Sequence, residues 1–151
     1  VPLNFGGVRP RYGPVPGSLS LQLDARPDSV IVEAARQIRH AGLAVLRSAP
    51  DEGYLESQWY DLQARRTVDA RARDLERVVK LRFFADPTAG RTRLAAECVR
   101  RIADDPSEPA RYLERMVPDS TPGRVLLDSV VARLKTAFPP AAPLPGEKSR
   151  P

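Results

Sequence analysis

The chain has 151 residues (16.7 kDa), the size of one compact domain, with 42% hydrophobic residues and a formal charge of +5 from 24 basic and 19 acidic side chains. The arginine-rich runs RR, RAR and RVVK are interleaved with Asp and Glu, which argues against the one-sided basic face that nucleic acid requires. No apolar run reaches membrane-spanning length and no signal-peptide pattern opens the chain at Val1, while Cys98, alone, supports neither an internal disulfide nor a cysteine metal cluster.

Residues 1–17, VPLNFGGVRPRYGPVPG, hold four prolines and four glycines, a composition that sustains neither a helix nor a central strand. They read as an extended docking arm. Phe5, Val8 and Tyr12 are its candidate anchors for partner grooves, with Arg9 and Arg11 placed to meet carboxylates or phosphates. FGGVRPRYG has glycines, but neither a GxxxxGK[ST] nor a GxGxxG pattern. Residues 139–151, with five prolines, read as a tail, which leaves 18–138 as the foldable body.

SLSLQLD alternates Leu19, Leu21 and Leu23 with Ser20 and Gln22, the period of a strand with one buried face. ARPDSVIVEAARQIRHAG follows as an amphipathic helix with Val30, Ile31, Ala34, Ala35 and Ile38 on its buried side. Asp28 or Ser29 is available to satisfy free amides near its start, and Gly42 is placed to close it. LAVLRSA and YLESQWYD then read as an antiparallel hairpin turned by PDEG. Strict alternation places Leu55 with Trp59 on the packed face and Tyr54 with Tyr60 on the other, where the two tyrosines join the partner-binding set.

The charged stretch 61–76 fits either an extended strand or a solvated crossing. ERVVKLRFF is a strand through Val79, Leu81 and Phe83, and ADPTAG is a turn. RTRLAAECV is a returning strand at least as far as Cys98, although Leu94, Cys98 and Ile102 also carry a helical spacing. RIADDPSEP is a surface loop and PARYLERMV a short helix or turn. STPGRVLLDSVVARLKTAF is a helix capped by Ser120 or Thr121, with Pro122 in its first turn. Its expected buried stripe is Val125, Leu126, Ser129, Val130 and Leu134, finished by Phe138. The order implies an α+β fold, an antiparallel sheet with two main helices packed on one face and Pro/Gly-rich terminal arms. The opposite sheet face is left for solvent or a partner.

Chemical motifs are sparse. His40 lies at a helix end, where an imidazole suits the dipole, and no HxxxH or HExxH spacing exists. Cys98 reads as a small core residue, and Ser29, Ser48, Ser57 and Ser129 lack a nucleophile-elbow context. Asp51/Glu52 and Asp104/Asp105 are adjacent acids in turns, whereas acid–base pairs need opposed groups in different environments. No catalytic, metal or cofactor site is assigned.

Gly42 after the helix, Leu43/Val45, the Glu52-Gly53 turn, Trp59 and the ADPTAGRTRL hairpin give residues 18–138 a pattern that resembles the BamC-type domain of bacterial outer-membrane assembly lipoproteins. The resemblance implies a periplasmic, membrane-tethered, non-enzymatic domain within a multiprotein assembly. The expected function is therefore an accessory or scaffold subunit of a bacterial envelope or membrane-associated complex. Its expected partners are protein subunits, with peripheral membrane contact and no nucleic acid. The alternative is a periplasmic domain that binds a small ligand or lipid headgroup.

Overall fold

The computed structural model describes residues 7–69 and 77–139. Phe5, the stretch 70–76 and the tail from 140 onward lie outside the described residues. The elements are β1 (Leu19–Leu23), α1 (Pro27–His40), β2 (Val45–Ala49), a 3-10 turn (Pro50–Glu52), β3 (Tyr54–Ser57), β4 (Tyr60–Asp61), β5 (Arg66–Thr67), β6 (Val78–Thr88), β7 (Arg91–Arg101), a 3-10 turn (Ala110–Leu113), β8 (Glu114–Met116) and α2 (Pro122–Ala137). This is the expected α+β fold. The sheet is antiparallel in the order β1-β7-β6-β3-β2, with β8 also on β7, and β4 on β6 carrying β5.

The long hairpin sets the layers. Ala89 and Gly90 both have positive φ, the backbone of a tight two-residue turn, and the ladder runs from Thr88↔Arg91 to Lys80↔Val99 without a slip. RTRLAAECV is thus a strand, extending to Arg101, and the helical spacing of Leu94, Cys98 and Ile102 is overridden by pairing on β6. Alternation puts Val79, Leu81, Phe83 and Ala85 of β6, with Leu94, Ala96 and Cys98 of β7, in the core beneath the helices.

α1 buries Val30, Ile31, Ala34, Ala35 and Ile38, as its periodicity predicts. It begins at Pro27. Asp28 Oδ1 accepts the Ser29 N–H (2.9 Å), satisfying a free amide near the start as expected, while Arg26 holds the N-cap position and makes no side-chain capping bond. Proline suits the first helical position, where an N–H has no intrahelical partner anyway. The helix closes with Leu43 N–H on Ile38 O (2.9 Å) and Gly42 N–H on Arg39 O (3.0 Å). Of the stripe expected for α2, Val130 and Leu134 are buried and Leu126 and Phe138 pack at the core's margin, but the buried face is turned toward Gly123, Leu127 and Val131. Val125 is 60% exposed and Ser129 exposed. The reason is a close approach at Gly123, where an added Cβ would lie 2.9 Å from Val79 and 3.1 Å from Cys98 Sγ.

The parity expected for residues 54–60 also fails. β3 and β4 both pair with β6, but the pairing slips by one residue between Glu56↔Arg82 and Tyr60↔Val79. Such a slip exchanges the faces of the residues beyond it. Leu55 and Tyr60 therefore join the helix-side core, while Trp59 packs with Val15 and Val99 on the other face. Among the described residues, no helix is long and apolar enough to cross a membrane.

Gly53 follows the Pro50–Glu52 turn at φ 66°, and a Cβ there would come within 1.9 Å of Ala85 O, which lies on the neighbouring β6. Gly53→Ala is expected to destabilise by about 3 kcal/mol or more, whereas Gly13→Ala, in open space, stays within about 0.5 kcal/mol. Urea unfolding of the two variants compares them directly, and equal midpoints would show that the β3–β6 approach is not tight.

Candidate functional site

Over its central strands the sheet face opposite the helices is neither wet nor free. β3, β6, β7 and β8 project Tyr54, Glu56, Lys80, Arg82, Glu97 and Glu114 onto it, and all six side chains are buried. Arg82, paired in register with Glu97, is the hub. Its Nη1 donates to Glu97 Oε2 (3.0 Å) and Glu114 Oε1 (2.7 Å), and its Nη2 donates to Glu114 Oε2 (3.0 Å). Arg111 reaches in from the second 3-10 turn, donating to Glu97 Oε2 (2.6 Å) and Oε1 (2.7 Å) and to Glu114 Oε1 (3.0 Å). Beside them, Lys80 Nζ donates to Glu56 Oε2 (2.6 Å) and Tyr54 Oη to Glu56 Oε1 (2.7 Å). Three bases thus face three acids, the condition under which charges persist away from water.

The N-terminal segment covers this layer as a strap. Val15 N–H donates to Glu97 Oε1 (2.9 Å) and its side chain packs on Trp59 and Val99. The Tyr12 ring lies under the guanidinium groups of Arg111 (4.4 Å) and Arg82 (5.5 Å), and Arg111 Nη2 donates to Gly13 O (2.8 Å). Arg9 sits over the Phe84 ring (5.6 Å), pairs with Asp86 (2.8 Å) and donates to Glu52 O (3.1 Å). The Glu52 carboxylate accepts the Val8 N–H (2.9 Å) and Arg9 N–H (3.3 Å). Arg9, Tyr12 and Val15 recur every third residue, the spacing that brings one side of an extended proline-rich chain onto a surface. Pro16 and Gly17 then turn the chain into β1, with Ser18 N–H on Val15 O (3.1 Å).

These contacts correct most of the expected anchor set. Arg9 and Tyr12 are spent on the protein's own sheet, so the described part of the arm belongs to the folded body. Tyr54 is fully buried by its hydroxyl's bond to Glu56, and Tyr60 is turned into the helix-side core by the register slip. Val8 and Arg11 remain exposed, and Phe5 lies outside the described residues. PDEG makes a turn rather than a carboxylate pair, though Glu52 holds the strap instead of being merely solvated. His40 is exposed at the end of α1, and Cys98 is buried under α2, where burial pushes its thiol well above the usual range. The charge layer escaped the sequence reading. The signal was present: hairpin pairing about Ala89–Gly90 sets Arg82 opposite Glu97.

At the strap's end an open cleft of about 600 Å³ is lined by Pro14, Pro16, Arg111, Tyr112, Arg115 and Met116, among others, and Tyr112 is 66% exposed. A second cleft, about 360 Å³, lies between Arg9, the start of α1 and the Pro50–Gly53 turn. Among the described residues no group of His, Cys, Asp and Glu is arranged to hold a metal. The fold and site define an α+β domain with helices on one sheet face and a strapped ion-pair layer on the other. No protein-family model matches the chain. A search of curated proteins likewise finds no match.

Burial raises the Glu56 and Glu114 carboxyls, but hydrogen bonds and charge from Lys80 and Tyr54, and from Arg82 and Arg111, outweigh it and hold both below the usual range. At the sheet margin, a hydrogen bond from Arg77 is the chief cause of an Asp61 value near about 2. Groups depressed in the folded state contribute stability that is complete above their unfolded values, near about 4, and lost as the pH falls through the folded ones. Urea midpoints are therefore expected to fall from pH 5 toward pH 2, and Glu114→Gln to flatten that slope. A midpoint that rises on acidification would contradict the ion-pair layer.

Arg82→Met leaves three buried acids against two bases, with Glu114 losing two of its three arginine hydrogen bonds while Arg111 still holds Glu97, and is expected to cost about 3 kcal/mol. The exposed Arg36, paired with Glu33 at 3.4 Å, is the control: Arg36→Met changes stability by less than about 0.5 kcal/mol. Chemical denaturation at neutral pH measures both, and a similar small loss at Arg82 would remove it as the hub.

Proposed function

We propose that the chain is a non-enzymatic accessory or scaffold domain of a membrane-associated protein complex, periplasmic and peripheral to the membrane. Its contact is with an extended, proline-containing segment of a partner subunit. The observation that carries this reading is the cleft at the strap's end, where exposed Tyr112 stands beside Arg115, Met116, Pro14 and Pro16. Aromatic and arginine side chains around a groove are the usual anchors for such segments. The strap supports it further, because it demonstrates the kind of chain this side of the sheet accepts: extended, rich in Pro and Gly, and held by an Arg, an aromatic and an aliphatic residue. A structural role for the buried charges fits the same reading, since Glu56, Glu97 and Glu114 are each bonded to Lys or Arg at 3.0 Å or less. The periplasmic setting and the assembly context rest on the resemblance to the BamC-type domain.

The test is a native pull-down from source membranes with the full chain and with Tyr112→Ala/Arg115→Ala as baits. A stoichiometric partner recovered by the first and reduced at least about tenfold with the second is the expected result. Equal recovery by both baits rejects this cleft as the contact, and no stoichiometric partner with either rejects the scaffold reading.

A further inference from the structure

The two ends of the main strand order, β1 and β2, are built differently. At the β2 edge the pairing with β3 slips between Val45 and Arg47, Arg47 is exposed, and Pro50 ends the strand. A bulge, a charge and a proline are the devices that keep an edge from pairing with another chain. The β1 edge has none of them. Leu19–Leu23 pairs with β7 in unbroken register and contains no charged residue and no proline. Among the described residues, β7 is its one ladder partner. Asp24 N–H, in phase with Ser20 and Gln22, donates to Pro139 O rather than to β7, so the even-numbered backbone groups face outward. Pro139 takes that side just past the strand's end, and Ser20 and Gln22 have no ladder partner there among the described residues.

The sequence of this edge is self-complementary. Leu23 is buried in the core and Leu19 and Leu21 pack at its margin, whereas Ser20 and Gln22 are exposed on the other face. When LSLQL pairs antiparallel with itself about Leu21, Leu19 meets Leu23, Ser20 meets Gln22, and Leu21 meets its own copy. Every leucine then stays on the helix side and every polar residue on the strap side. A slip of one residue would set leucine against serine or glutamine and turn apolar side chains to water.

We propose that β1 is the interface for a second copy of this chain, joining two sheets into one across a two-fold axis at Leu21. Each Ser20–Gln22 pair exchanges backbone hydrogen bonds across the axis, and both helix layers remain on one side of the joined sheet. The contact is isologous and closed, so it stops at a dimer. One short strand per copy covers less than the roughly 1,200 Å² of a standard stable interface, so the dimer is reversible.

Sedimentation equilibrium of the full chain from about 5 μM to about 1 mM is expected to show a monomer–dimer equilibrium in the upper part of that range. Because residue 20 faces residue 22 of the other copy, Ser20→Lys/Gln22→Lys is expected to be monomeric, and so is Ser20→Glu/Gln22→Glu. An equimolar mixture of the two restores the dimer. In oxidising buffer Leu21→Cys forms a cross-linked dimer, whereas Leu46→Cys, at the bulged edge, does not; the native Cys98 is buried and stays out of the reaction. A wild-type chain that remains monomeric throughout overturns the proposal. So does a dimer that survives the lysine pair, or cross-linking at Leu46 as readily as at Leu21. Urea midpoints of the variants show that each is folded.

Discussion

The unbroken pairing of β6 with β7 is the constraint from which the other layers follow. Two eleven-residue strands joined by a two-residue turn are locked in one register, and that register assigns every side chain on both to a face. Val79, Leu81 and Phe83 become the floor for α1 and α2. Lys80, Arg82 and Glu97 are forced to the other side together. Shifting β6 by one residue would bury Lys80 and Arg82 beneath the helices and turn Val79, Leu81 and Phe83 away from them, an exchange that no local adjustment could repair.

Burying such charges is costly unless each finds a partner, and the strap completes that condition. Arg82 and Arg111 hold Glu97 and Glu114 within the sheet, but Glu97 also takes the Val15 N–H, and the Tyr12 ring closes over both guanidinium groups. Without the strap the layer would meet water from above, and its electrostatic interactions would weaken with the rise in local dielectric. The segment is therefore a second layer of the core, built from hydrogen bonds and cation–π contacts because the face beneath it is polar. Val15, Trp59 and Val99 add the apolar contact that anchors its end.

The two faces also divide the protein's possible roles. On the helix side the space between helices and sheet is filled by side chains, with Gly123 allowing α2 to approach Val79 and Cys98 closely. On the strap side the buried acids and bases hold one another, and open clefts remain at the rim beside Tyr112 and beside Arg9. The recognition proposed at the rim would use side chains and the strap, whereas the pairing proposed at β1 would use backbone groups at the sheet's edge.

Sequence periodicity by itself determined β1, α1, the two hairpins and the packing of both helices on one face, because burial against a single layer imposes period 2 on strands and period 3.6 on helices. It also placed Cys98 in the core and the PDEG stretch in a turn. The tertiary structure alone decided the rest. Trp59 and Tyr60 exchanged faces because β3 and β4 meet β6 one residue out of step, a slip that depends on the partner strand. α2 rotated to bury Leu127 and Val131 because Gly123 permits a contact that its own helical pattern does not encode. Arg9, Tyr12 and Val15 turned inward because the charges they cover come from distant strands. The local composition of the arm was legible, but the surface it would meet was not, since that surface exists only once the hairpin register has brought Arg82 and Glu97 together.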